Sequence, residues 1–254
     1  ESELERRNRE LEAELQDARE MQMSLIPNSA PTIEGVEIAG RCVPANTVGG
    51  DFFDYLKGKS DNEIGLVIAD VTGKGMKGAM NAVMADGILR MAAEEQKQLS
   101  PASLLMRTNN VLESRTERYM NVTMAIGVID ALEKTLTIAN AGALPILLRD
   151  GEILPFELGG FPLGMKAGFE YVEERHQLKS GDVVILMTDG IIETQDDEGR
   201  FYSDSGRLED TLRRFTSGMS AEAMVEAIFD DAISFGGEKA QRDDDMTVVA
   251  AKIQ

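Results

Sequence analysis

The chain has 254 residues, 45 acidic against 26 basic side chains, a formal net charge of −19, 43% hydrophobic residues and 5% aromatics. That length and apolar content fit one large globular domain with an appendage, and the charge argues against nucleic acid, whose phosphates the protein's own field would repel. One cysteine, Cys42, and one histidine, His176, exclude an intrachain disulfide, a CxxC clamp and a multi-histidine zinc site, leave any Ser-His-Asp or Cys-His scheme dependent on a single residue, point to carboxylates if the chain is an enzyme, and fit a reducing, cytoplasmic setting.

No apolar run approaches about 18 residues and no basic-then-apolar start is present, so neither a membrane span nor a signal peptide is expected. The first residue is Glu1, inside a helix-like charge pattern, which suggests a fragment of a longer protein. Residues 1–26 are rich in Glu and Arg, lack Gly and Pro, and set Leu4, Leu11, Ala18 and Leu25 seven apart, with Leu15 and Met21 beside the stripe. They form one helix, either a short coiled coil or a helix docked on its own domain. Pro27 and Pro31 break it, placing a domain boundary between a linker at 1–26 and a globular domain at 27–254.

Short apolar runs punctuated by glycine then predict strands at 36–43, 52–56 and 64–68. Helical spacing follows over 76–96, and Ser100-Pro101 starts a second helix running to about Tyr119. Strands are expected at 122–129, 135–140, 146–148 and 152–157, as an antiparallel meander, and again at 170–176 and 182–188. Helices at 205–217 and 220–235 precede a closing strand at 246–253. Runs of strands and runs of helices, without strict alternation, argue for an α+β fold with sheet packed between helices.

Asp51, Asp70, Asp189 and the run Asp243-Asp244-Asp245 share one setting, at or beside the end of an apolar strand-like segment and next to glycine or another acid. Strand ends hold side chains rigidly, so such positions can converge on one site. Converging carboxylates repel unless protonated or neutralised, and an all-oxygen donor set selects Mg²⁺, Mn²⁺ or Ca²⁺ over zinc. Taken singly, the same residues also serve to start turns or cap helices. Asp70 and Asp189 stand apart because each ends a strongly apolar run, where an unpaired charge is expensive.

Gly73-Lys74-Gly75-Met76-Lys77-Gly78 has the GxGxxG spacing between a strand and a helix. The helix runs on into a second helix and never returns as a strand ending in a ribose-binding acid, which argues against a dinucleotide. These glycines turn the chain and let a helix start face a phosphate. Gly49-Gly50-Asp51-Phe52-Phe53 differs from the GGDEF signature of diguanylate cyclases in having Phe52 where an acid belongs.

In order, Pro44-Ala45 with Val48-Gly-Gly-Asp51-Phe-Phe-Asp54, Ala69-Asp70-Val-Thr-Gly73-Lys-Gly75, Asn140-Ala-Gly142, Pro162-Leu-Gly164, Thr188-Asp189-Gly190-Ile-Ile-Glu193 and Asp244-Asp245-Met-Thr247 resemble the bacterial PPM (PP2C-like) serine phosphatases of the RsbU/SpoIIE type, across residues 36–253. The resemblance implies an αββα sandwich of two antiparallel sheets and a Mn²⁺- or Mg²⁺-dependent phosphoserine/phosphothreonine phosphatase using two or three ions. It implies that Asp70, Asp189 and Asp244 are catalytic. Asp70 would bridge two metals beside the Val71 carbonyl, Asp189 and Asp244 would hold the second metal, and Asp51 would stand near the first by way of water. Asp54 and Asp245 are neighbours of this set, and Gly73, Lys74 and Gly75 would contact phosphate, with Lys77 beside them. Metal-activated water as nucleophile agrees with a chain so poor in Cys and His.

The chain departs from the family at Ala143, where many relatives carry His, and at Met76-Lys77-Gly78, where they often carry Pro-Ala. His176 does not replace the missing histidine and is expected to be structural or superficial. The resemblance further implies an upstream sensor, a phosphorylated anti-sigma-factor antagonist as substrate, and a transmission role for residues 1–26, which would dimerise or repack to order the segment from Gly73 to Ala93. The rival readings are a low-activity phosphatase-like binding module and a coiled-coil adaptor. The acidic exterior favours a partner with a basic rim.

Overall fold

The computed structural model describes residues 3–73, 75–115, 120–237 and 244–254. In chain order the elements are α1 (Glu3–Met23), β1 (Val36–Val43), β2 (Phe52–Lys57), β3 (Glu63–Val71), α2 (Met76–Glu94), α3 (Pro101–Arg115), β4 (Val122–Asp130), β5 (Thr135–Ala141), β6 (Leu144–Arg149), β7 (Glu152–Pro155), β8 (Glu173–Gln177), β9 (Val183–Met187), α4 (Asp189–Ile192), α5 (Arg207–Arg213), α6 (Ala221–Gly236) and β10 (Met246–Ile253). The strands form two antiparallel five-stranded sheets, ordered β1-β10-β9-β6-β7 and β2-β3-β4-β5-β8.

Three apolar interfaces stack these layers. Side chains alternate along a strand, so a strand covered on both faces reads as a continuous apolar run. On β3, Val67, Ala69 and Val71 face α2 and α3, while Ile64, Leu66 and Ile68 face the other sheet. On β9, Val184 and Leu186 enter the space between the sheets, and Val183, Ile185 and Met187 pack with α5 and α6. The result is the αββα sandwich. Among the described residues no helix is long and apolar enough to cross a membrane.

The strand runs over 122–157 do not form one meander. They divide into a β4–β5 hairpin in one sheet and a β6–β7 hairpin in the other. The crossing is made at Asn140-Ala-Gly142-Ala143, where Asn140 Oδ1 accepts from Ala143 N at 2.8 Å and its Nδ2 donates to Ala143 O at 2.8 Å. Gly142 takes φ +87°, a conformation that side chains disfavour. Alternation along each strand is the same whichever sheet it joins, so periodicity cannot reveal this crossing.

The helix expected over 205–217 is shorter, since Gly206 at φ 77° delays its start to Arg207. A one-turn helix, α4, begins at Asp189 without having been anticipated. Helix α1 stops at Met23, four positions before Pro27. Its end is not detached: Gln22 is buried, and Met23 and Ile26 pack into the core between the sheets.

Candidate metal centre

Antiparallel pairing sets the end of one strand against the start of its neighbour, and this gathers distant segments at one mouth of the sandwich. Phe52 stands opposite Ala69, Met187 opposite Val248, and Val43 opposite Met246. Asp51 therefore enters β2 beside the end of β3, while Asp189 leaves β9 beside the start of β10. Asp70 alternates with Ala69 and Val71, which places it on the same side as Ile68, toward the second sheet.

Asp51 is fully enclosed. Its Oδ2 accepts from Thr188 Oγ1 at 2.7 Å and from Thr247 Oγ1 at 2.7 Å. Thr247 N donates to Thr188 Oγ1 at 3.0 Å, so the pair of hydroxyls is itself fixed. Burial pushes the Asp51 carboxyl well above the ordinary carboxylate range, the Asp70 charge adds to this, and the threonine hydroxyls oppose it. Asp70 is half-buried and is pushed up to about 7, first by burial and then by the charges of Asp189, Asp244 and Asp245, with a hydrogen bond to Asp51 acting in the other direction. Glu193 is also raised, by burial, Asp189 and Asp244. No basic side chain contributes to any of these three shifts.

Asp245 has different surroundings from Asp244. Its Oδ1 accepts from Ala45 N at 2.8 Å and its Oδ2 from Gly50 N at 2.6 Å and Asp51 N at 3.3 Å. Its carboxylate is occupied in holding the loop at 45–51. Asp244 is exposed and accepts from Asp245 N at 2.9 Å. A methyl group at Gly49 would run into the Asp245 carboxylate, and one at Gly50 into the Val71 carbonyl oxygen, so the two glycines permit this packing.

A cavity of about 160 Å³ opens at this mouth, lined by Asp70, Asp189, Glu193, Thr123, Gly142 and Ala143 among others. Ala143 leaves no imidazole there. Gly73 and Gly75 lie at the exit from β3 and the start of α2, at φ 130° and 61°, and Lys77 is exposed on the first turn of α2. Lys74, expected to contact phosphate with them, lies outside the described residues, as does Asp243.

The donor chemistry suits a hard divalent cation: several carboxylates and one strand-end carbonyl, all of them oxygen donors. Among the described residues, no three His, Cys, Asp or Glu side chains enclose a common point. Mutual repulsion opposes such gathering, and a cation would offset it. The acids thus converge in charge, while ligation requires them to draw closer.

Cys42 and His176 stand aside from this chemistry. The Cys42 thiol points at Asp51 O at 3.9 Å and is pushed strongly upward, by burial first and Asp51 second, which disfavours a thiolate. His176 sits on β8 with Nε2 3.0 Å from Glu174 Oε2 and its ring edge-to-face with Phe156 at 5.0 Å. Thr188, Thr247 and Glu193 join this site, with no role legible from the sequence alone. Their position beside strand-end acids was the available signal.

A second acidic group lies under α2, away from this mouth. Asp54 and Asp86 are both buried and share Arg90, whose Nη2 is 2.8 Å from Asp54 Oδ1 and whose Nε is 2.9 Å from Asp86 Oδ2. Asp54 lines a larger cavity, about 670 Å³, beside the segment 24–33.

A family model described as Stage II sporulation protein E (SpoIIE) matches residues 60–254. Phosphoserine phosphatase RsbU of Bacillus subtilis (strain 168) is 26% identical over 246 residues, spanning 96% of this chain and 71% of its own length. The SiaA-PP2C domain of Pseudomonas aeruginosa superposes with a TM-score of 0.85 at 22% identity, covering 97% of this chain and 98% of that domain. The catalytic domain of serine threonine protein phosphatase PstP, solved in complex with 2 manganese ions, superposes with a TM-score of 0.63 at 16% identity, covering 86% of this chain and 98% of that one.

Proposed function

This chain belongs to the SpoIIE family of PP2C-like serine/threonine phosphatases, and from that premise we propose that it hydrolyses phosphoserine or phosphothreonine on a regulatory protein, using two or three Mn²⁺ or Mg²⁺ ions. The observation that carries this reading is the approach of Asp51, Asp70, Asp189 and Asp244 from four separate segments, with Asp70 raised by burial and then by the charges of its acidic neighbours.

Asp70, Asp189 and Asp244, with the Val71 carbonyl, would hold the cations, and Asp51 would support them from behind. Divalent cations supply charge that polarises a phosphoryl group and acidifies water. The chain's own residues do the rest. Thr188 and Thr247 fix the Asp51 carboxyl, and Asp245 pins the loop that presents it. Gly73, Lys74 and Gly75 would receive the substrate phosphate. Ala143 offers no proton to the departing serine oxygen, which would take one from solvent or a neighbouring acid. Neither Cys42 nor His176 is placed to form a covalent intermediate.

The substrate we favour is a phosphorylated anti-sigma-factor antagonist in the cytoplasm, selected in part by a basic rim facing this chain's acidic surface. An upstream sensor would act through residues 1–26 as a domain distinct from 27–254. Leu4 and Leu11 on that helix are 70% and 51% exposed, and a second copy of the helix is the proposed partner for them. Pairing or repacking there would order the segment from Gly73 to Ala93. The deciding experiment incubates candidate phosphoproteins with the Mn²⁺-loaded chain and follows phosphate release, with Asp70→Asn as control.

One observation favours a second reading, a low-activity binding module: the acids do not already enclose a common point among the described residues. Tight binding of a phosphoprotein with turnover no faster than in the Asp70→Asn variant would select it.

A further inference from the structure

Helix α1 is exposed along most of its length, and Gln22 is its one buried residue among those described, at 6% exposure. Its side-chain amide pairs with the backbone of a single residue in both directions. Gln22 Nε2 donates to Gly49 O, and Gln22 Oε1 accepts from Gly49 N at 3.0 Å. A primary amide carries one acceptor and two donors on one plane, which is why Gln can match a peptide edge where Glu or Lys cannot.

Gly49 lies in the 45–51 loop, which leads into Asp51 of the candidate metal centre. Gly50 N and Asp51 N donate to Asp245 Oδ2 at 2.6 and 3.3 Å, Val71 N donates to Gly50 O at 3.3 Å, and Asp51 then turns its carboxyl to Thr188 and Thr247. Asp245 and Val71 belong to the globular domain. Among the described residues, Gln22 is the hydrogen-bonding contact to this loop that belongs to the N-terminal helix. A displacement of α1 by even about 1 Å breaks a hydrogen bond of this geometry and frees one side of the loop.

We propose that Gln22 is a positioning residue: its amide docks helix α1 on the N–H and C=O of Gly49 and so sets how tightly the Asp51 and Val71 side of the site holds a divalent cation. This rests on the metal-dependent phosphatase reading and deepens it by naming the contact through which the helix acts. Gln22 touches neither substrate nor metal. It acts through Gly49 and Gly50, as supporting hydrogen bonds act on metal ligands elsewhere, where their loss typically costs about 10–100-fold in metal affinity.

The test uses the full chain with Gln22→Met, which keeps the apolar stem and loses both hydrogen bonds, and Gln22→Ala as a second variant should the first fold poorly. Mn²⁺ binding is measured by calorimetry without substrate, and amide exchange at Gly50 and Asp51 without metal. The expected results are Mn²⁺ binding weakened about 10-fold, a matching rise in the Mn²⁺ needed for half-maximal p-nitrophenyl phosphate hydrolysis, kcat at saturating Mn²⁺ within about 2-fold, and faster exchange at both amides. A lowered melting temperature with Mn²⁺ affinity and loop exchange both unchanged overturns the proposal, since Gln22 is then only a packing residue. Mn²⁺ binding by the parent chain with no phosphatase activity overturns the functional reading instead, while the Gln22 comparison can still be read from binding. A parent chain that binds no Mn²⁺ overturns both.

Discussion

Thr247 Oγ1 donates to Asp51 Oδ2 at 2.7 Å, bonding the start of β10 in one sheet to the entry of β2 in the other. The site is therefore a fastening between the two halves of the sandwich as well as a group of acids. Replacing Thr247 or Thr188 with Val keeps the shape and removes a donor to a buried carboxyl. Each change should cost about 1–3 kcal/mol, lowering the melting temperature by roughly 2–4 °C per kcal/mol. Unchanged melting by calorimetry in both variants refutes the role given to these hydroxyls.

Asp70→Asn and Asp189→Asn should each reduce Mn²⁺-dependent phosphate release by more than about 100-fold. In metal-free protein the same substitutions remove repulsion between crowded acids, so Asp70→Asn should melt higher than the parent. Loss of activity together with raised thermal stability is the expected signature. A variant that stays active, or melts lower without metal, contradicts it.

Asp54 supplies a pH dependence separate from the candidate metal centre. Burial and then Asp86 push it up to about 7, against the pull of Arg90. Its folded-state value thus exceeds its ordinary value of 3.8, so the native protein retains a proton that the unfolded chain releases between those limits. A proton shared with Asp86 accounts for Asp54 Oδ2 and Asp86 Oδ1, which have no other hydrogen-bond partner. That stabilisation is complete below the unfolded value and is lost as pH rises through about 7. Asp54→Asn can donate permanently to Asp86 and should flatten the fall in melting temperature between about pH 5 and pH 8. An equally steep fall would dismiss the shared proton.

Arg149 and Asp182 give a control remote from the acids. Arg149 Nε and Nη2 reach Asp182 at 3.0 and 2.6 Å, and the Asp182 side chain is only 2% exposed. Arg149→Ala strands a buried carboxylate and should destabilise by about 3–5 kcal/mol. Denaturant titration measures this, while Mn²⁺ affinity should not change. A shift in metal affinity would show that the two ends of the sheets are coupled.

Leu4→Glu with Leu11→Glu tests pairing of α1. Light scattering should find the parent chain dimeric and the double variant monomeric at equal concentration, with Gln22 and its partners untouched. A monomeric parent ends the pairing idea.

The strands were largely legible in the sequence because burial on both faces writes long apolar runs, as in β3 and β9, between Gly, Asp and Pro stops. The acids at the mouth of the sandwich stand out for the same reason, since each ends or adjoins such a run. What remained hidden depends on partners. Asp244 and Asp245 are adjacent and chemically identical, yet one is exposed and the other is taken up by three backbone amides. Gln22 is an ordinary helix residue until Gly49 is placed beside it. The crossing at Asn140 and the Thr188–Thr247–Asp51 network likewise arise from segments far apart in the chain.

Strand β10 lies between β1 and β9, so the first sheet is completed by residues 246–253. A nascent chain cannot close that sheet until Ile253 has emerged from the ribosome. Until then β1 waits without its neighbour and the carboxyl of Asp51 lacks the hydroxyl of Thr247. Products truncated before β10 should accordingly leave the first sheet open between β1 and β9 and the Asp51 carboxyl one donor short.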